Sequence, residues 1–214
     1  MNKPQRIWLA SYPRSGNTLL RTVLWHCFGL RSASIYPNDL GGRKELEAYV
    51  GHIEHGPDRR IRFPLGALPL IKTHEPPSDG MPAIYVVRDG RAASVSLWEF
   101  YRGRVPLETI IRGEHRFGTW AGHLQAWRPW ERQDTLFIKY EDLARDLPPV
   151  LEKISAFVNC DILTDRIPDR TELAGADGRW VRNKSDWRAK ITAEQLALCN
   201  EVNGKMLDWM GYYH

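Results

Sequence analysis

Residues 7–11, Ile-Trp-Leu-Ala-Ser, form a short apolar run of strand character that passes without a gap into Tyr12-Pro13-Arg14-Ser15-Gly16-Asn17-Thr18 and then into a helical pattern. No other stretch restricts the fold as strongly. A buried strand, a turn of small residues and a helix beginning near Gly16 aim several backbone N–H groups at one spot, where the positive end of the helix dipole adds to them. The turn is therefore built to hold an anion. Arg14 contributes a full charge and a planar fork, and Ser15 and Thr18 contribute hydroxyls. A nucleoside-triphosphate loop would carry Gly-Lys-Ser/Thr at this place. Gly16-Asn17-Thr18 lacks the lysine, which argues against a kinase-type site.

The pattern of a strand followed by a helix recurs. Leu68 to Lys72, Ala83 to Arg88 and Thr135 to Tyr140 are apolar runs that suit buried parallel strands. Leu19, Leu20, Val23, Leu24 and Cys27 recur at helical spacing, as do Phe117, Trp120, Leu124 and Trp127. Thr192 with Gln195 reads as a capping box opening a last helix through Leu196 and Met206. The expected fold is α/β, three-layered, with a central parallel sheet and this P-loop-like turn as its anion-binding loop. The 214 residues fit one domain, 1–214, and the unpatterned stretch 159–190 is long enough to be a lid over a site.

Three further strand ends carry chemistry on the same rim of the sheet, where open α/β folds bind ligands. Lys72-Thr73-His74-Glu75-Pro76 offers a cation, a histidine and a carboxylate. Arg88-Asp89-Gly90-Arg91 is followed two helical turns later by Ser96, and Lys139-Tyr140-Glu141-Asp142 adds an aromatic ring. His74 is the side chain best matched to proton transfer near neutral pH, with Glu75 as the competing base.

Taken in order, YPRSGNT, KTHEP, VVRDGRAASVS and KYEDL resemble the cytosolic-type sulfotransferase family. The resemblance implies that Arg14, Ser15, Gly16, Asn17 and Thr18 form the 5′-phosphosulfate loop for 3′-phosphoadenosine 5′-phosphosulfate (PAPS). It implies further that Arg88 and Ser96 hold the 3′-phosphate, that Tyr140 lies near adenine, and that His74 is the general base with Lys72 beside it. The product nucleotide is then 3′-phosphoadenosine 5′-phosphate (PAP), and the reaction needs no metal. Three departures stand out. The loop lysine is replaced by Arg14, which cannot release its proton and so acts by electrostatics. Leu19 stands where many members stack a tryptophan on adenine, leaving Trp98 or Trp180 for that role. Arg182-Asn183-Lys184 only approximates the family's late basic segment, with Arg182 and Lys184 as its 3′-phosphate candidates.

The remaining features narrow the setting. The net charge of +4 is too small to argue for nucleic acid, and no apolar run is long enough to span a membrane. Cys27, Cys160 and Cys199 form no C-x-x-C pair, so neither a disulfide framework nor a zinc site is indicated. With no signal-peptide pattern at the N-terminus, a cytoplasmic protein is expected. Segments 31–66 and 99–116 connect the motif-bearing strands and should border the acceptor. Their Tyr36, Tyr49, Phe63 and Tyr101, with Phe117 nearby, suit a small-molecule or carbohydrate acceptor bearing a hydroxyl or amine. The competing readings are a P-loop small-molecule kinase using ATP and an inactive anion-binding relative. Oligomeric state is not legible.

Overall fold

The computed structural model describes residues 6–168, 172 and 186–212. Its elements alternate as the apolar runs require. In chain order they are β1 (Ile7–Ala10), α1 (Asn17–Phe28), β2 (Ser32–Ser34), α2 (Lys44–Tyr49), β3 (Leu70–Thr73), β4 (Ala83–Val87), α3 (Gly90–Phe100), α4 (Leu107–Ile111), α5 (Trp120–Trp127), β5 (Thr135–Lys139), α6 (Tyr140–Arg145) and α7 (Leu147–Val158). After a 3₁₀ turn at Trp187–Ala189 comes α8 (Ala193–Trp209). The strands pair in parallel in the order β2-β3-β1-β4-β5.

Successive strand side chains face opposite sides of a sheet. Ile7 and Leu9 of β1 therefore join Ile84 and Val86 of β4 in a core with α1, α6 and α7. Trp8 and Ala10 join Ala83, Tyr85 and Val87 in a second core with α3, α5 and α8. The sheet is thus covered on both faces, the three-layer arrangement its unbroken apolar strands call for. Leu20, Val23 and Leu24 are wholly buried, and each such aliphatic side chain contributes about 1.5–3 kcal/mol. Trp120 and Trp127 are core residues of α5, as their spacing predicts.

Local differences from the sequence reading have local causes. β3 begins at Leu70 because Pro69 has no N–H to give the ladder, while its carbonyl still accepts from Ile7. α5 begins only at Trp120, capped by Thr119 whose hydroxyl accepts from Gly122 N–H, so Phe117 lies ahead of the helix. The Thr192/Gln195 capping box forms as expected. Among the described residues no helix is long and apolar enough to cross a membrane.

Candidate active site

β1 ends at Ala10, and the chain turns through Arg14 at φ 66° and Gly16 at φ 105°. Two left-handed positions one residue apart curl the backbone into a concave turn. Gly16 is the N-cap of α1 and supplies no capping side chain, and the first turn of α1 carries no acidic residue. The helix N-terminus is therefore left for an external acceptor. Glycine is required at position 16 on two grounds: its left-handed φ, and Tyr140, whose ring lies 2.5 Å from where a Cβ would stand. Asn17 locks the turn from beneath, its Nδ2 donating to Leu9 C=O (2.8 Å) and to Ser11 Oγ (3.3 Å).

The turn opens onto a cleft of about 560 Å³. Of the residues singled out from the sequence, Arg14, Gly16, Asn17, Thr18, Lys72, His74, Arg88 and Tyr140 all line it. Ser15 does not: its side chain is buried, with Oγ unpartnered. Ser96 meets the cleft through Arg14, whose Nε donates to Ser96 Oγ at 3.3 Å. Arg88 lies 4.7 Å over the Tyr140 ring and donates to Arg14 C=O at 3.2 Å. The four strand ends thus form one basic surface. Trp98, the proposed adenine contact, instead packs between the α3 side of the core and the Leu107/Ile111 cluster. Trp180, Arg182 and Lys184 lie outside the described residues.

His74 is held on every side. Its Nδ1 lies 2.7 Å from Ser11 C=O, and since a carbonyl only accepts, Nδ1 carries the proton and Nε2 is the bare nitrogen. Its N–H donates to Tyr36 Oη (3.0 Å), and Tyr36 in turn donates to Glu75 Oε1 (3.0 Å). Its C=O accepts from His123 Nε2 (3.0 Å), while Trp127 Nε1 donates to Glu75 C=O (2.9 Å). Tyr36 stacks on the imidazole (5.9 Å, 24°), and Phe117 meets it edge-on (6.0 Å, 81°). Burial, then the charge of Lys72, pushes the His74 pKa well below its ordinary value, so the ring is neutral at physiological pH. Glu75 is engaged by Tyr36 and by an ion pair with Arg116.

Comparison with known proteins identifies the family. The sulfotransferase domain family matches residues 4–195. The chain belongs to the sulfotransferase family. Human sulfotransferase 4A1 is 30% identical to it over 186 residues, 74% of this chain and 62% of that protein. Human sulfotransferase 1E1 is 24% identical over 198 residues, 80% and 66% of the two chains. This sulfotransferase-family chain therefore spans about 62% of the length of the 4A1 relatives it matches. The crystal structure of mouse sulfotransferase SULT7A1 complexed with PAP is 22% identical, with a TM-score of 0.64 over 94% of this chain and 83% of that one. That of retinol dehydratase in complex with androsterone and the inactive cofactor PAP is 20% identical, with a TM-score of 0.67 over 96% and 82%. Both establish the fold as that of sulfotransferases.

Within this sulfotransferase fold, the residues that sequence reasoning missed all come from segments without a motif. Asp39, in the turn after β2, lies between two cations. Its Oδ2 accepts from Arg21 Nη1 at 2.8 Å, and its Oδ1 pairs with Lys72 Nζ. Burial alone would raise the Asp39 carboxyl, but Lys72 and Arg21 outweigh it and hold it below the usual carboxylate range. Burial lowers Lys72 from its ordinary value, with Asp39 opposing. Phe100 and Arg116, which carry no motif either, line the same cleft as the expected Tyr36, Tyr101 and Phe117, and Phe100 lies 5.2 Å from the Arg14 guanidinium. Of the aromatics expected on the acceptor side, Tyr49 instead lies against His26, and Phe63 does not line the cleft.

Proposed function

We propose that this chain transfers a sulfuryl group from PAPS to the hydroxyl or amine of a small-molecule acceptor. The observation that carries the reading is His74. Its Nδ1 proton is committed to Ser11 C=O, and its ring lines the same cleft as Arg14, Lys72 and Arg88. A neutral base with one available nitrogen thus stands beside an anion-binding turn.

The residues present fit such a nucleotide. The concave turn at Arg14 and Gly16, the uncapped start of α1 and the Thr18 hydroxyl suit the 5′-phosphosulfate. Arg88, with Ser96 reached through Arg14, suits the 3′-phosphate, and Leu19, Leu143 and Ala144, which line the cleft with Tyr140, suit adenine. When bound, PAPS supplies the sulfuryl group and a phosphate leaving group. His74 Nε2 accepts the proton of the acceptor hydroxyl or amine. Lys72 stabilises negative charge on the transferring oxygens from its buried position. Arg14 stabilises it on the leaving side, without giving up a proton. Tyr36, His123 and Trp127 hold the His74-Glu75 backbone, which keeps the base in place through the reaction. Aromatic side chains lining the cleft, Tyr36, Phe100, Tyr101 and Phe117, suit a small organic acceptor.

The test is transfer of labelled sulfate from PAPS to a panel of phenols, alcohols, amines and sugars, paired with calorimetric titration of PAP. Turnover with at least one acceptor, and PAP binding that MgATP does not match, are expected. Preference for MgATP with phosphoryl transfer would overturn the reading in favour of a kinase.

A further inference from the structure

We propose that Asp39 is a positioning residue for this reaction: it holds Lys72 charged at the cleft wall and ties the acceptor-side segment to the helix of the nucleotide loop. The proposal rests on the sulfotransferase reading of Lys72 given above. Asp39 sits on the segment that follows β2, three residues beyond Tyr36, the side chain that contacts His74 N–H. Its carboxylate is 5% exposed, and each oxygen is taken by a different cation from a different element, Arg21 of α1 and Lys72 of β3. Arg21, fully buried, is fixed further by Ser32 Oγ (2.8 Å) and His52 Nδ1 (2.8 Å). One carboxylate thus joins α1, β2, β3 and the acceptor wall, and it lines the cleft itself.

The charge balance shows what the carboxylate does for Lys72. The groups facing the pair are Arg14 from the loop, Arg21 from α1, Tyr36 from the same segment as Asp39, His52 after α2, and His74. His52 is neutral near pH 7, its pKa lowered to about 4 by burial and then by Arg21. His74 is neutral for the reasons given above. Arg14 and Arg21 both disfavour the charged form of Lys72, as does burial, whereas Asp39 favours it. Asp39 is the single carboxylate acting on Lys72 in this set. Without it, a lysine in such surroundings releases its proton at lower pH and can no longer offer a charge to the transferring group.

The experiment follows the Lys72 Nζ resonance by NMR through a pH titration, with kcat measured across the same range, for the wild type, Asp39→Asn and Asp39→Glu. In Asp39→Asn the Lys72 titration should fall by at least about one pH unit. The alkaline limb of kcat should move down with it by the same amount, so that the loss of kcat grows as the pH rises and reaches about tenfold above both titrations. Asp39→Glu keeps the charge on a longer stem and separates position from charge. Lys72 should then titrate as in the wild type, while kcat falls severalfold. An unchanged Lys72 titration in Asp39→Asn, or a uniform loss of kcat with an unmoved alkaline limb, would overturn the proposal. If Asp39→Asn does not fold, a wild-type kcat in Asp39→Glu overturns it equally. Absence of sulfuryl transfer by the wild-type chain would instead overturn the functional reading, and the Lys72 titration would still decide the role of Asp39.

Discussion

Replacing Gly16 with alanine probes the loop at the point where fold and site meet. Residue 16 has φ +105°, and a Cβ there would stand 2.5 Å from Cδ2 and 3.3 Å from Cε2 of Tyr140. Holding a residue with a Cβ in left-handed backbone costs about 1–2 kcal/mol. Forcing a methyl against a packed ring costs about 1–3 kcal/mol more. The Tyr140 ring cannot swing aside without disturbing Arg88, which lies 4.7 Å above it. A total of about 2–5 kcal/mol corresponds to a fall in Tm of about 4–20 °C for a chain of this size. The same displacement should weaken PAP binding by about tenfold or more, a loss of about 1.4 kcal/mol. Differential scanning calorimetry gives the first quantity and calorimetric titration of PAP the second. A Tm within about 2 °C of the wild type together with unchanged PAP affinity would refute the argument, because it would mean that Tyr140 does not pack on the loop.

Other perturbations separate binding from architecture. Arg88→Ala should weaken PAP binding by about tenfold or more while barely moving Tm, since Arg88 is half-exposed and makes its contacts at the cleft; unchanged affinity in calorimetric titration would remove it from the 3′-phosphate site. Asn17→Ala strips a donor from the buried Leu9 carbonyl and should cost about 1–3 kcal/mol, read from the urea midpoint. Stability should also decline in mild acid. Burial holds His52 and His123 at about 4 when folded, against 6.5 unfolded. The unfolded chain therefore binds protons first, and stability is full above pH 6.5 and falls as pH drops toward 4. For the deeply buried His123 the loss approaches about 3 kcal/mol by pH 4, and urea midpoints at pH 7 and pH 5 that coincide would contradict it.

The parts of this molecule that were legible in sequence are those where local pattern and tertiary role coincide. β1 and β4 are apolar runs bounded by polar residues and buried on both faces of the sheet, and β5 is a half-buried edge strand with the same apolar signature. His74, Arg88 and Tyr140 each follow a strand directly and Arg14 stands in the turn four residues beyond β1, so a parallel sheet carries all four to one rim. β2 was invisible because Ser-Ala-Ser has no hydrophobic signature and is a strand only by pairing with β3. Asp39 reads locally as a turn residue in Pro-Asn-Asp-Leu-Gly-Gly. Its importance depends on Arg21 and Lys72, 18 and 33 residues away, meeting it in space. Ser15 followed the motif, yet its side chain turned inward, because the two left-handed residues beside it set the direction of the turn. Trp98 was a candidate by residue type alone, and its place on α3 packs it, partly buried, against the Leu107/Ile111 cluster.

The reading of the cleft as a sulfotransferase site is tested best by His74→Ala, assayed for sulfuryl transfer with PAP affinity measured on the same protein. The imidazole supplies the proton acceptor, and the nucleotide-side residues lie on other elements. Turnover should therefore fall by about 10²–10⁴-fold while PAP binds as in the wild type. Turnover close to the wild-type rate would contradict the assignment of His74 as the base.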